Sequence, residues 1–295
     1  MDLHCLKNKE ITIIGHDNGD VDSVVSGILL HRLLSYLGVK SYFAILDKEI
    51  EEKVSSILLK YNIDVLDYIT NNTTDYLFLV DHHETCHSGV VVGAIDHHLT
   101  LKSFDYDCYL NMSLASTSLH IYHLMLKYDY PISKDDANLI VLGAYTDTCS
   151  LRSSKTTKFD KYEVRDLINL FGLDEESFYK DGLLLRDLSL MSLDSILGNG
   201  LKRYKFGDYI VNSTYLRVGK LSEVSNIKSS LVSMATDKIK SQSINTWVFV
   251  IVALEDFKTL EIIITSNTIT CNVHEGILSR GKDIIPRIEK QHLIA

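Results

Sequence analysis

Apolar residues recur along the chain in two rhythms. Residues 11–15, 41–46, 76–80 and 90–95 are short β-branched or apolar runs and read as strands. From 22 to 37 the apolar positions Val25, Ile28, Leu29, Leu33 and Leu37 recur at helical spacing, and Gly38 sits where a helix C-terminus is expected. Residues 49–61 read as a second helix, and 117–127, 134–145 and 161–171 as further helices, the last closed by Gly172. Strands alternating with helices predict an α/β fold, a mainly parallel sheet with helices on both faces. After about residue 188 the texture changes. A hairpin is expected around Gly207-Asp208, a helix over 222–239, and strands over 246–254 and 260–265. The expected domains are therefore 1–188 and a smaller mixed α/β domain, 195–295. The segment 189–199 is the boundary and candidate hinge.

The chain has 295 residues, 45% of them hydrophobic and 23% charged, enough to bury a full core and to exclude disorder. Its formal net charge of −9 disfavours a protein that grips nucleic acid by neutralising phosphates. The longest strongly apolar run, 247–254, is far shorter than the roughly 20 residues that span a bilayer. With no signal-peptide core in the first ten residues, a cytoplasmic protein without membrane contact is expected. The five cysteines are scattered, never paired as C-x-x-C, and read as free thiols.

Polar chemistry gathers just beyond the apolar runs. His16-Asp17-Asn18-Gly19-Asp20-Val21-Asp22-Ser23 follows the first strand, Asp81-His82-His83-Glu84 the third, and Asp96-His97-His98 the fourth. Asp147, in Thr146-Asp147-Thr148, ends a helical run. In an open α/β sheet the loops past the carboxyl ends of the strands form the ligand crevice, so these residues are expected along one edge. Mixed carboxylate and imidazole ligands suit Mn²⁺, Fe²⁺, Co²⁺ or Zn²⁺ better than Mg²⁺. So many ligands exceed the needs of one ion, and two ions roughly 3.5–4 Å apart can share a carboxylate. His4, His31, His120, His123 and His292 lack such context and read as surface or satisfied core histidines. His87 and His274 lie near motif residues and stay open.

At these residues the sequence resembles the DHH phosphoesterase superfamily. Within it, the chain is most similar to manganese-dependent family II inorganic pyrophosphatases and their exopolyphosphatase relatives. The first cluster matches H-x-N-P-D-x-D-S with Gly19 in place of proline. Asp81-His82-His83-Glu84 resembles D-H-N-E with His83 in place of asparagine. Asp96-His97-His98 is the triplet that names the superfamily. Residues 142–148 with 153–157 resemble the segment carrying the last metal-binding aspartate. Ser279-Arg280-Gly281-Lys282, followed by Pro286, resembles S-R-K-x-x-x-x-P, and residues 202–208 resemble a strand supplying a phosphate-binding lysine.

The resemblance implies a metal-dependent phosphoanhydride hydrolase with its active site in the cleft between the domains. Its substrate would be pyrophosphate, split by water activated between two metal ions, Mn²⁺ ahead of Mg²⁺ or Co²⁺. His16, Asp20 and Asp81 would hold one ion. Asp22, Asp81, His97 and Asp147 would hold the other, with Asp81 bridging. His98 would contact substrate and assist proton transfer. Lys202 and Arg280 would bind phosphate oxygens; the lysine that directly follows the arginine in the family is Gly281 here, so either that basic group is missing or its role has moved to Lys282. A homodimer through an edge strand fits the same likeness. Exopolyphosphatase is the alternative. A nuclease or cyclic-dinucleotide phosphodiesterase lacks its usual glycine-rich, histidine-containing motif here, and a non-catalytic binding protein would not need every ligand position filled.

Overall fold

The apolar runs of the first half become five strands, β1 (Glu10–Ile14), β2 (Lys40–Ala44), β3 (Tyr76–Val80), β4 (Val90–Asp96) and β5 (Cys108–Asn111). The computed structural model describes all residues except 48–49, 99, 101, 184–187, 189–190 and 294–295, and the backbone alone for 291–293. All pairs are parallel, in the order β2-β1-β3-β4-β5. Ile11, Ile13 and Ile14 of β1 are all inaccessible to solvent, as a strand covered on both faces requires. The chain leaves β1 in one direction to make β2 and returns on the other side to make β3. That reversal opens a crevice at the carboxyl ends of β1 and β3.

The helices are α1 (Val21–Tyr36), α2 (Glu52–Lys60), α3 (Thr117–Lys127), α4 (Lys134–Asp147), α5 (Lys158–Phe171) and α6 (Glu175–Leu183). Asp20 caps α1 by accepting from the Ser23 amide, and Gly38 follows the helix with φ +75°. Ser133 and Asp136 form a capping box on α4, and Thr157 and Asp160 one on α5. The second box starts α5 three residues before the apolar spacing alone indicates. Glu49, the expected start of the second helix, lies outside the described residues; α2 begins at Glu52. Two elements of this part, β5 and α6, had no clear sequence signal.

The chain forms two compact units, Met1–Gly182 and Leu183–Ala295. Leu188 packs with Ile196, Leu197 and Trp247 in the core of the second unit. Ser189 and its neighbour lie outside the described residues, but Ser192 caps α7 (Leu193–Gly198). Most of the expected boundary segment is thus helical and belongs to the second unit. This unit has β6 (Lys202–Phe206), β7 (Tyr209–Val218), α8 (Ser222–Ser225), α9 (Lys228–Ser241), β8 (Thr246–Ala253), β9 (Lys258–Thr265), β10 (Ile269–Glu275) and α10 (Ile285–Leu293). Its sheet runs β10-β9-β8-β7-β6 and is mixed, since β7 and β8 are parallel and the other neighbours antiparallel. The helix expected over 222–239 breaks at Asn226-Ile227. Val224, Leu231, Ala235 and Ile239 are buried on both sides of the break and keep helical spacing across it, so the pattern conceals it. Among the described residues, no helix is long and apolar enough to cross a membrane.

Candidate metal centre

Three strand ends and two helix ends supply the acidic and imidazole groups. His16 and Asp20 come from the loop after β1, Asp22 from the first turn of α1, Asp81 from the end of β3, and His97 and His98 from the end of β4. Asp147 is the last residue of α4. Donor atoms of His16, Asp20 and Asp81 lie within 4.8 Å of one another, as do those of Asp22, His97 and Asp147, and those of Asp81, His97 and His98.

Asp81 links these groups. Its Oδ2 is 3.4 Å from His16 Nε2, and its Oδ1 is 3.3 Å from His97 Nε2. Thr117 Oγ1 donates to Oδ1 at 2.9 Å. The backbone at Asp81 has φ +65° and at Asn18 +56°, a left-handed conformation that Asp and Asn tolerate better than most residues. Asp22 is buried and accepts from the Thr117 and Ser118 amides at 2.7 and 3.1 Å, two of the otherwise unpaired donors at the start of α3. Asp147 lies 3.3 Å from His97 Nε2 and takes an ion pair from Lys155.

Asp96 plays a different part from the other acids. It accepts from His83 Nδ1 at 2.5 Å and from His98 Nδ1 at 2.8 Å, as well as from the His97 and His98 amides. It therefore orients both imidazoles. A proton on His98 Nδ1 makes Nε2 the basic nitrogen of the neutral ring.

The structure supports a fit to divalent cations through its orphaned nitrogens. His16 Nε2 and His97 Nε2 are buried and make no hydrogen bond, yet each faces carboxylate oxygens. Buried imidazole nitrogens without partners are rare, and cations held jointly with the facing carboxylates would satisfy them. Without cations, protons must balance the charge. Burial, then the Asp81 and Asp147 charges, push the Asp22 carboxyl up to about 8. Burial and Lys155 oppose charge on His97, but Asp147 and Asp81 outweigh them and raise it to about 9. Burial likewise opposes charge on His16, but Asp20 and Asp81 hold it well above its ordinary range. For Asp81, burial is overcome by His16 and His97, and its carboxyl stays well below the usual range.

This pattern sets a pH dependence. Asp22, His97 and His16 bind their protons more tightly folded than unfolded. Their contribution to stability is complete at low pH and lost as pH rises. Asp22 loses its share between 3.8 and about 8, and His97 between 6.5 and about 9. In chelator, Tm should fall between roughly pH 6.5 and 9, and added divalent cation should flatten the fall. A Tm that rises across this window in chelator would contradict the charge pattern.

Residues 10–144 match the family described as DHH family, N-terminal domain. The first unit contains a DHH-family domain. Two relatives named manganese-dependent inorganic pyrophosphatase align along almost all of the chain. The Methanothrix thermoacetophila protein is 25% identical, over 95% of this chain and 97% of its own length. The Methanocaldococcus jannaschii protein is 24% identical, over 95% and 98%. A Methanococcus jannaschii crystal structure assigned to family II inorganic pyrophosphatase superposes with a TM-score of 0.79 at 23% identity, covering 95% of this chain and 98% of its own, and shows a shared fold.

Beside the DHH-domain acids and histidines stand residues whose roles the sequence did not reveal. Thr117 and Ser118 looked only like a helix start, although the Ser-Thr-Ser run at 116–118 was a visible cluster of donors. Lys155 lies in the quoted 153–157 segment but had no assigned role. Gly143 gives room to Asp22, since a Cβ there would stand 2.5 Å from its Oδ1.

The expected phosphate-binding cations belong to the second unit. Arg280 Nη1 donates to the Gly200 carbonyl and, at 3.1 Å, to that of Ser213, and the guanidinium sits 5.5 Å from the Tyr215 ring centre. Lys202 pairs with Ser213 in the β6–β7 register and is exposed. Lys282 is exposed on the π-helical turn Arg280–Ile284, its amide donating to Ser279 Oγ. His274 is explained without a ligand: its Nε2 lies 3.1 Å from buried Glu261, which Arg287 also pairs.

Proposed function

We propose that the protein hydrolyses phosphoanhydride bonds with two divalent cations, Mn²⁺ being favoured, and that inorganic pyrophosphate is its substrate. The observation that carries this reading is the Asp81 carboxylate, with one oxygen toward His16 and the other toward His97. His16, Asp20 and Asp81 would hold one cation, and Asp22, Asp81, His97 and Asp147 the other. The relatives named manganese-dependent inorganic pyrophosphatase support the choice of substrate and metal.

Bound cations supply the Lewis acidity that activates water and offsets phosphoryl charge. The protein's own groups do the remainder. Thr117 fixes one oxygen of Asp81, and the α3 amides fix Asp22. Asp96 holds His98 so that Nε2 can accept or return a proton. Arg280, Lys202 and Lys282 would bind phosphoryl oxygens. Anchoring Arg280 through Nη1 leaves its Nε and Nη2 edge, a planar fork suited to two phosphate oxygens.

Phosphate release should be measured from pyrophosphate, tripolyphosphate, long-chain polyphosphate and a dinucleotide, each with Mn²⁺, Mg²⁺ or Co²⁺. Pyrophosphate with Mn²⁺ should be fastest. Faster release from tripolyphosphate moves the assignment to exopolyphosphatase. Cleavage of the dinucleotide alone rejects phosphoanhydride hydrolysis.

Arg280→Lys keeps the charge but removes the fork. It should lower kcat/KM roughly ten- to hundredfold, the equivalent of one charge-assisted contact, and leave metal stoichiometry unchanged. Gly281→Lys adds a cation where a Cβ meets nothing within 4 Å, so the fold can accept it. Unchanged kinetics in both variants would remove this segment from the substrate site.

A further inference from the structure

Beside the DHH-domain centre, a separate trio joins two of its loops. Asp17 follows β1, while Cys86 and His87 lie in the loop between β3 and β4. One donor atom of each, a carboxylate oxygen, a thiol sulfur and an imidazole nitrogen, lie within 4.8 Å of one another. The His87 Nε2 to Asp17 Oδ1 distance is 3.3 Å. Around a tetrahedral zinc ion with bonds of about 2.0–2.3 Å, neighbouring donors stand roughly 3.3–3.8 Å apart. The trio is therefore close to ligating geometry.

We propose that Asp17, Cys86 and His87 form a third divalent-cation site, selective for Zn²⁺-class ions, with solvent as the fourth ligand. Sulfur decides the class of ion. A thiolate beside an imidazole favours Zn²⁺ over Mn²⁺ or Mg²⁺, whereas the His/Asp centre contains no sulfur. The site is accessible: Cys86 is exposed and the His87 side chain is 33% exposed, so an ion enters without unfolding the loop. Local hydrogen bonds hold the surrounding backbone. The His87 amide donates to Thr85 Oγ1 at 3.2 Å, and His16 Nδ1 lies 2.8 Å from the Asp17 carbonyl. An ion here ties the loop bearing His16 and Asp20 to the loop that begins at Asp81. An ordinary His87–Asp17 surface pair would have no use for Cys86.

The proposal is independent of the hydrolytic reaction. Protein loaded with Mn²⁺ is titrated with Co²⁺, and the near-ultraviolet thiolate-to-cobalt charge-transfer band is recorded. Only a cysteine-bound ion produces this band, which the His/Asp centre cannot give. Cys5 and Cys108, whose sulfurs are 3.2 Å apart, are controlled by Cys5→Ser. The band should saturate at one equivalent, persist in Cys5→Ser and disappear in Cys86→Ser. His87→Ala should weaken Co²⁺ binding at least roughly tenfold, the smallest loss typical of even an indirect metal partner. Elemental analysis of the Zn²⁺-treated protein should show one zinc lost in Cys86→Ser with Mn²⁺ content unchanged. No band in the unaltered protein, an equal band in Cys86→Ser, or full affinity in His87→Ala each overturns the site.

Discussion

Asp81→Asn should leave a folded protein that has lost its paired metal binding and its turnover. Asparagine suits the backbone, because φ +65° is a conformation that Asn adopts at least as readily as Asp. The amide can still accept from Thr117 Oγ1, so that anchor survives. What disappears is the negative charge between His16 and His97. Each carboxylate oxygen would give one cation a charged contact, worth about 1.5–3 kcal/mol on the scale of hydrogen bonds to charged groups, and both are weakened at once. Affinity for the cation pair and kcat/KM should fall by roughly 10²–10⁴-fold. Metal content after gel filtration and phosphate release in Mn²⁺ test this together. Two retained metals with near-normal turnover would refute the linking role of Asp81. Asp81→Ala would be a poorer test, since alanine is strained at positive φ and would confound folding with binding.

Gly143→Ala should damage the same centre without replacing a ligand. Alanine is favoured over glycine inside a helix by about 1 kcal/mol, so propensity alone predicts stabilisation. Here the new Cβ would stand 2.5 Å from Asp22 Oδ1, 2.5 Å from Ser118 Oγ and 2.9 Å from Ser118 Cβ. Neither neighbour can simply withdraw. Asp22 is pinned by two α3 amides, and Ser118 Oγ donates to the Ile140 carbonyl. Overpacking of this kind costs about 1–3 kcal/mol, and relief requires α4 to move from α1 and α3. Tm should fall, and metal affinity should fall with it because Asp22 is displaced. Gly198→Ala, where a Cβ meets nothing within 4 Å, is the matched control and should be neutral or stabilising. A Gly143→Ala protein with higher Tm and unchanged metal affinity would contradict this account.

The parts of the molecule legible in its sequence are those where one residue type carries one physical meaning. Apolar runs ending in Asp or His marked β1, β3 and β4 and placed their acids and imidazoles at one sheet edge. Capping and periodicity delimited α1 and α3 to within a residue. What escaped depends on partners distant in sequence. Gly143 is unremarkable until α4 lies against Asp22, and Thr117 is an ordinary helix opener until its hydroxyl meets Asp81. The β5 run has no alternation to expose it, and β10 is mostly exposed, so neither gave a hydrophobic signal. In the sequence Cys86 is a scattered thiol and His87 an isolated histidine, because Asp17 is 70 residues from His87 along the chain.

The single parallel seam in the second sheet has a consequence for the order in which that unit assembles. β6 and β7 meet across the short turn at Gly207-Asp208, and β8, β9 and β10 are joined by similarly short reversals. Hairpins of this kind form in about 1–10 μs. The β7–β8 seam instead requires residues 219–245 to cross over, including α8 and α9. Closing that loop costs entropy before any pairing compensates it. Two hairpin-built halves should therefore be present before the seam joins them. Substitutions that weaken the β9–β10 hairpin should therefore mainly slow refolding and leave unfolding little changed, because that hairpin is already formed when the seam closes.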